Sequence, residues 1–210
     1  MDNQTNFLVN FHMERRDIIL ECNSMCRCGP NCKNRNVQHG RKVRLEIFKT
    51  PHKGFGLRCK ERLRKGQFID TYRGEIITSE EADLREQGAS PGKASYMFKL
   101  DKYDYEESEE SKCYVVDGEH MSGPTRFINH SCDPNCGIYC VSFNKNDEHI
   151  YELAFFALED IQAGTELTFD YMDADDEDEQ DDTYTNADAH AGTKVRCNCG
   201  SDRCRKYLWV

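Results

Sequence analysis

Two cysteine-rich stretches carry the first sign of chemistry. Near the end of the chain Cys197-x-Cys199-x4-Cys204 sets three thiols within eight residues, and near its start Cys22-x3-Cys26-x-Cys28-x3-Cys32 sets four within eleven. Thiolates at such spacings are the usual ligands of structural zinc, which is held tetrahedrally by four donors. The first stretch offers four, with Gly29-Pro30 as a turn that folds it back on itself. The last is one ligand short, and spacing alone does not name the fourth. Cys59, Cys113, Cys136 and Cys140 lie outside any such pattern and read as plain buried or surface residues.

Compartment decides between metal and disulfide. Glu14, Arg15, Arg16 and Asp17 interrupt any apolar run at the start, so a secretory leader is not expected. The longest clean apolar stretch, 153–158, is far short of the roughly 20 residues that span a bilayer, and no membrane partner is expected. An intracellular location follows, where twelve cysteines point to zinc rather than to cross-links. The net charge of -10 argues against direct nucleic-acid binding, which needs clustered Lys and Arg, and favours a basic peptide partner.

The elements that must position these groups read as mostly β with short helices. At 210 residues there is room for one ordinary domain with small appendages. Strand-like runs cover 43–48, 68–72, 96–100, 114–117, 138–143, 151–157 and 166–169. Thr78 followed by Glu81 marks a helix start, the helix running to about 87 before Gly88 stops it. A second short helix is expected over 124–129, with Pro124 in its first turn. Eight of the ten residues 173–182 are acidic, which predicts a flexible loop over 173–194. The expected division is 1–41 for an N-terminal segment with the first cysteine module, 42–172 for the main domain, the acidic loop, and 195–210 for the second cysteine module.

Four separated patches then stand out: Lys53-Gly54-Phe55-Gly56-Leu57-Arg58, Gly74-Glu75-Ile76-Ile77, Arg126-Phe127-Ile128-Asn129-His130-Ser131-Cys132-Asp133-Pro134-Asn135, and Glu166-Leu167-Thr168-Phe169-Asp170-Tyr171. In order and character they resemble the SET-domain protein lysine methyltransferases, over about residues 18–210. The resemblance is greatest to the suppressor-of-variegation branch, and to its fungal members, which act on lysine 9 of histone H3. It implies a β-clip with a pseudoknot, in which the Asn129 and Tyr171 segments meet, flanked by a partial pre-SET and a post-SET zinc module.

The resemblance implies S-adenosylmethionine as cofactor and structural zinc, a histone H3 tail and chromatin proteins as partners, and a place in the nucleus on chromatin. Methyl transfer to an amine mainly requires alignment of two reactants and a neutral nucleophile, which an apolar aromatic channel favours by desolvation. By resemblance Tyr171 is the catalytic tyrosine, Tyr96 adds a second hydroxyl at the channel and touches the cofactor, and Phe169 leaves room for di- or trimethylation. Cofactor contacts carry over to Lys53, Gly54, Phe55, Arg126, Asn129 and His130. Trp209 is expected at the same site, and with Leu208 it would close the lysine channel. The family usually has Trp where Phe55 stands, which would loosen one edge of the pocket.

Cys132 is, by resemblance, the fourth ligand to Cys197, Cys199 and Cys204. Lys206 stands where relatives often carry Gly, a costly choice if its backbone is left-handed. Cys22, Cys26, Cys28 and Cys32 match only the second half of a nine-cysteine, three-zinc module. Either the chain is truncated or the module binds less zinc; the sequence leaves both open. Two other readings also stay open: a silent SET module that binds peptide or chromatin partners, and a methyltransferase for a non-histone lysine.

Overall fold

A computed structural model describes residues 17–89, 95–103, 113–143, 147–172 and 195–208. In chain order its strands are β1 (Ile18–Leu20), β2 (Leu45–Lys49), β3 (Phe55–Cys59), β4 (Phe68–Tyr72), β5 (Glu75–Thr78), β6 (Met97–Leu100), β7 (Tyr114–Asp117), β8 (Asn129–His130), β9 (Cys136–Ser142), β10 (Glu152–Ala157), β11 (Glu166–Phe169), β12 (Val195–Arg196) and β13 (Tyr207–Leu208). One α-helix, α1 (Ser79–Gln87), follows β5, and a 3-10 turn covers Pro124–Phe127. The mostly β architecture expected from sequence is present. Among the described residues no helix is long and apolar enough to cross a membrane. The acidic run 173–182 and Trp209 lie outside the described residues.

Three small sheets make the body, in the orders β1-β9-β10-β4, β2-β3-β11-β8 and β5-β7-β6, and β12 pairs with β13. The apolar run of β10 is continuous because both its faces are covered. Leu153, Phe155 and Ala157 point into the larger core with Leu57, Ile69, Ile128, Leu167 and Phe169, while Ala154 and Phe156 point into a second core with Val37, Phe68, Tyr139 and Val141. Side chains alternate across a strand, so one segment feeds two cores. Each fully buried Phe or Leu contributes about 1.5–3 kcal/mol. Asp70, inside the fully buried β4, is tolerated because Arg41 Nε lies 3.0 Å from its carboxylate.

Helix α1 begins as its cap predicts, the Thr78 hydroxyl accepting from the Glu81 N–H at 3.3 Å. It ends at Gly88, which keeps an ordinary right-handed φ of -78. The expected helix over 124–129 is corrected. It is a single 3-10 turn that stops at Phe127, because Asn129 and His130 pair in parallel with Thr168 and Phe169 as β8 against β11. Strand β3 begins inside the Lys53–Arg58 patch, directly after a tight turn. The turn itself closes at Thr50, whose N–H donates to Gly54 O at 2.8 Å, and Gly54 takes a φ of +72 that suits glycine.

Candidate active site

Strand β11 is the axis of the site. It lies between β3 and β8, and its continuation carries Tyr171 back past the 128–135 segment. The two segments are laced together. The Ser131 N–H donates to Phe169 O at 3.0 Å, and the Asn135 side chain donates to Glu166 O at 2.8 Å and accepts from the Thr168 N–H at 2.9 Å. The Tyr171 N–H donates to His130 Nδ1 at 3.2 Å, and the Tyr171 hydroxyl donates to Ile128 O at 2.8 Å.

Although 37% of Tyr171 is exposed, its hydroxyl is turned inward. Burial, then the neighbouring Tyr96 and Glu166 charges, push the phenol above its ordinary range, so at neutral pH it is a protonated hydrogen-bonding group and not a base. Its ring lies 4.6 Å from that of Phe169 and 5.4 Å from that of His130. Phe169 is buried, with Phe155 at 5.2 Å and Phe98 at 5.8 Å on its other sides. The Tyr96 carbonyl is fixed by the Tyr72 hydroxyl at 2.6 Å and the Gly118 N–H at 3.0 Å. The Arg126 guanidinium lies over the Tyr96 ring at 4.4 Å, a cation–π contact. Phe98, Phe155, Phe169 and Tyr171 thus form one aromatic cluster, and Tyr96 is near enough for its charge to bear on the Tyr171 phenol.

Beside it gather Lys53, Phe55 and Asn129. The Asn129 amide donates to Phe55 O at 3.0 Å and to Glu166 Oε1 at 2.9 Å, while Lys53 Nζ pairs with Glu166 Oε2 at 2.8 Å. Phe55 is 57% exposed, an unusual state for a large aromatic, and touches Phe127 edge-on at 6.2 Å. Arg126 donates from Nη1 to Glu119 O at 2.6 Å, yet its buried Nε has no partner among the described residues. An orphaned buried donor and an exposed aromatic, both packed against Phe127, suit a ligand with a polar and an apolar part. His130 is otherwise engaged: Nδ1 accepts from Tyr171, and Nε2 lies 3.2 Å from Cys132 Sγ. Its ring is committed to the protein, so its main chain is what it can offer a ligand.

Cys132, Cys197, Cys199 and Cys204 bring their sulfurs within 4.8 Å of one another. Cys132 and Cys197 are 3.8 Å apart. A tetrahedral zinc with bonds of about 2.3 Å separates its sulfurs by about 3.8 Å, so these four fit the ion. N–H groups of Arg205 and Lys206 point at Cys132 and Cys204 sulfurs, both at 3.4 Å, as suits thiolates. Burial opposes ionisation of Cys199, but hydrogen bonds from Ser201 and main-chain N–H groups outweigh it and draw the thiol down to about 6. Arg205 also reaches Asp170, tying this module to the residue beside Tyr171. Between the module and the turn before β3 opens a cleft of about 340 Å³ lined by His52, Arg196, Asn198 and Lys206 among others.

The N-terminal cysteines converge less completely. Cys22, Cys28 and Cys32 bring their sulfurs within 4.8 Å, whereas Cys26 stands outside that group. A turn in which the Cys26 N–H bonds Asn23 O at 3.1 Å directs the Cys26 sulfur toward the Asn23 amide, 3.8 Å away. Three of the four donors a structural zinc needs are in place.

Residues 54–172 match the SET domain family model. The chain belongs to the SET-domain family. It is 45% identical over 207 residues to a histone-lysine N-methyltransferase, H3 lysine-9 specific, dim-5, of Neurospora crassa, covering 94% of this chain and 60% of that protein. The SET chain studied for the structural basis of product specificity of histone lysine methyltransferases is 43% identical, with a TM-score of 0.77 over 97% of this chain and 71% of that one. KRYPTONITE, solved with mCHH DNA, a histone H3 (1–15) peptide and SAH, is 28% identical with a TM-score of 0.70, over 93% of this chain and 36% of that one. This SET chain therefore spans less than two thirds of the Neurospora relative.

In the folded chain Tyr171, Tyr96, Phe169, Lys53, Gly54, Phe55, Arg126, Asn129 and His130 lie around the parallel pairing of β8 with β11. Sequence reasoning assigned no role to Glu166, which holds two of them. The signal available was a charged residue opening the otherwise apolar-alternating β11, with its partner Lys53 113 positions away.

Proposed function

We propose that this SET domain methylates a lysine of the histone H3 tail, namely lysine 9, giving a di- or trimethyl product. The carrying observation is the inward Tyr171 hydroxyl set beside buried Phe169, with Asn129 and Lys53 gathered on the adjoining side. Support for the substrate comes from the Neurospora relative's stated specificity and from the histone H3 peptide bound to KRYPTONITE. Bound S-adenosylmethionine would supply an electrophilic methyl group on a sulfonium. Lys53, Gly54, Phe55, Tyr96, Arg126, the Asn129 side chain, the His130 main chain and Trp209 would hold that cofactor.

The protein's own work is alignment. Tyr96, Phe169 and Tyr171 desolvate the substrate ammonium, which lowers its pKa and favours the neutral amine. The Tyr171 hydroxyl, which donates its hydrogen bond to Ile128 O, keeps oxygen lone pairs free to accept from the amine and orient it. Phe169 has no hydroxyl to anchor a methylated amine, so the amine can turn and react again. Cys132, Cys197, Cys199 and Cys204 would hold one zinc in a post-SET module over 195–210. Cys22, Cys28 and Cys32, with Cys26 close by, would form a reduced pre-SET module within 1–41. The proposed setting is the nucleus, on chromatin.

Mass spectrometry of an H3 tail peptide after incubation with enzyme and S-adenosylmethionine tests the reading. Di- and trimethylation at lysine 9, absent when that lysine is replaced by arginine, is the expected result. Methylation at other lysines only would overturn the substrate assignment.

A further inference from the structure

Glu166 is used by none of the roles above, yet its carboxylate sits where three parts of the chain meet. Oε2 takes the Lys53 ammonium from the turn before β3, and Oε1 takes the Asn129 amide from β8. The main chain of Glu166 is itself fixed, through its carbonyl to Asn135 and through the β11–β3 register opposite Arg58. Arg58 is engaged elsewhere, with Glu46 at 2.7 Å, which leaves Lys53, among the described residues, as the cation on Glu166. Gly56 keeps the slot open. A Cβ there would stand 2.9 Å from Glu166 Oε1 and 2.8 Å from Thr50 Cγ2.

The pair is only partly exposed, 20% for Lys53 and 25% for Glu166, so solvent screens it incompletely. The negative charge of Glu166 extends to the Tyr171 phenol, where, after burial and Tyr96, it helps keep the proton on. A charge felt at Tyr171 is felt across the space between Lys53 and Tyr171.

Resting on the S-adenosyl reading above, we infer that Glu166 is a positioning residue that sets cofactor charge preference: it orients Lys53 and Asn129 and cancels the Lys53 charge beside a cationic sulfonium. Without the carboxylate, Lys53 becomes an unpaired cation next to the ligand, and the Asn129 amide loses one of its two acceptors. A cationic S-adenosyl compound is then penalised more than its neutral thioether counterpart. A residue that merely supports the fold would weaken both alike.

Calorimetric titration of S-adenosylmethionine and S-adenosylhomocysteine into wild type, Glu166→Gln, Glu166→Asp and the Lys53→Met/Glu166→Gln double variant tests this, with zinc content and melting temperature as controls. Glu166→Gln should lose about tenfold in affinity for the sulfonium and clearly less for the thioether, as expected for one charge-assisted pair. Glu166→Asp should weaken both but keep the wild-type ratio, because the charge remains. The double variant should return the ratio to the wild-type value, because the unpaired cation is gone. Equal losses for both compounds in Glu166→Gln, or none, would overturn the inference while leaving the methyltransferase reading intact. Failure of wild type to bind either compound would overturn both.

Discussion

The main-chain N–H of Tyr171 donates to Nδ1 of His130 at 3.2 Å, and the opposite nitrogen of that ring lies 3.2 Å from Cys132 Sγ. One imidazole therefore links the Cys132 sulfur to the backbone of Tyr171. Arg205, whose N–H also reaches Cys132 Sγ, adds a second link through Asp170.

Removal of zinc should consequently cost catalysis and not stability alone. Chelation, or Cys199→Ser, is expected to reduce methyl transfer at least 10- to 100-fold, the scale of losses around metal sites. Zinc content measured beside the transfer rate checks this. Full activity in zinc-free protein would show that the His130 link is idle.

Product number should follow the aromatic at position 169. The Phe169 ring is enclosed by Phe98, Phe155 and Tyr171. In Phe169→Tyr an added hydroxyl would occupy space in the channel and hold the amine. Mass spectrometry of the peptide at high enzyme concentration is expected to move from di- and trimethyl toward monomethyl product. An unchanged distribution would place Phe169 outside the channel.

Lys206 carries a φ of 75, and among described residues it is the non-glycine with positive φ. That conformation costs an L-residue about 1–2 kcal/mol. Its carbonyl accepts from the Cys197 N–H at 2.8 Å, so the shape is imposed by the cysteine module. Lys206→Gly should raise the melting temperature of the zinc-loaded protein by about 2–4 °C, as about 1 kcal/mol does at this size. A lower melting temperature would show that the lysine side chain compensates for its strained backbone.

The pH–rate profile should rise as the substrate amine loses its proton and should show no descending limb assignable to Tyr171 below about pH 10, the ordinary tyrosine value. The sign follows from burial: a phenol held above its usual range keeps its proton throughout that interval. A fall in wild-type rate near pH 8 that disappears in Tyr171→Phe would contradict this.

Much of this was legible in the residues, and the exceptions have physical reasons. The runs at β4, β7 and β11 and the Thr78 cap gave their elements directly, since alternation and capping are local signals. Strand β3 was obscured by Gly56, a weak strand former that is present because Thr50 and Glu166 fill the space a Cβ would need. Strand β8 is two residues long and exists only through its parallel pairing with β11, some forty residues on. Cys132 as a ligand came from resemblance, since 65 residues separate it from Cys197. The divergence of Cys26 from its neighbours depends on the local turn at Asn23, which spacing does not reveal.

In the proposed mechanism β8 and the end of β11 together bind an S-adenosyl compound and align a lysine amine on Tyr171. Single-turnover methyl transfer to an H3 tail peptide, with S-adenosylhomocysteine affinity measured in parallel, tests it in wild type and Tyr171→Phe. Near-equal affinity with a transfer rate at least about 100-fold lower in the variant is the predicted result, as for loss of an orienting group. Equal rates in the two proteins, or no transfer by wild type, would contradict it.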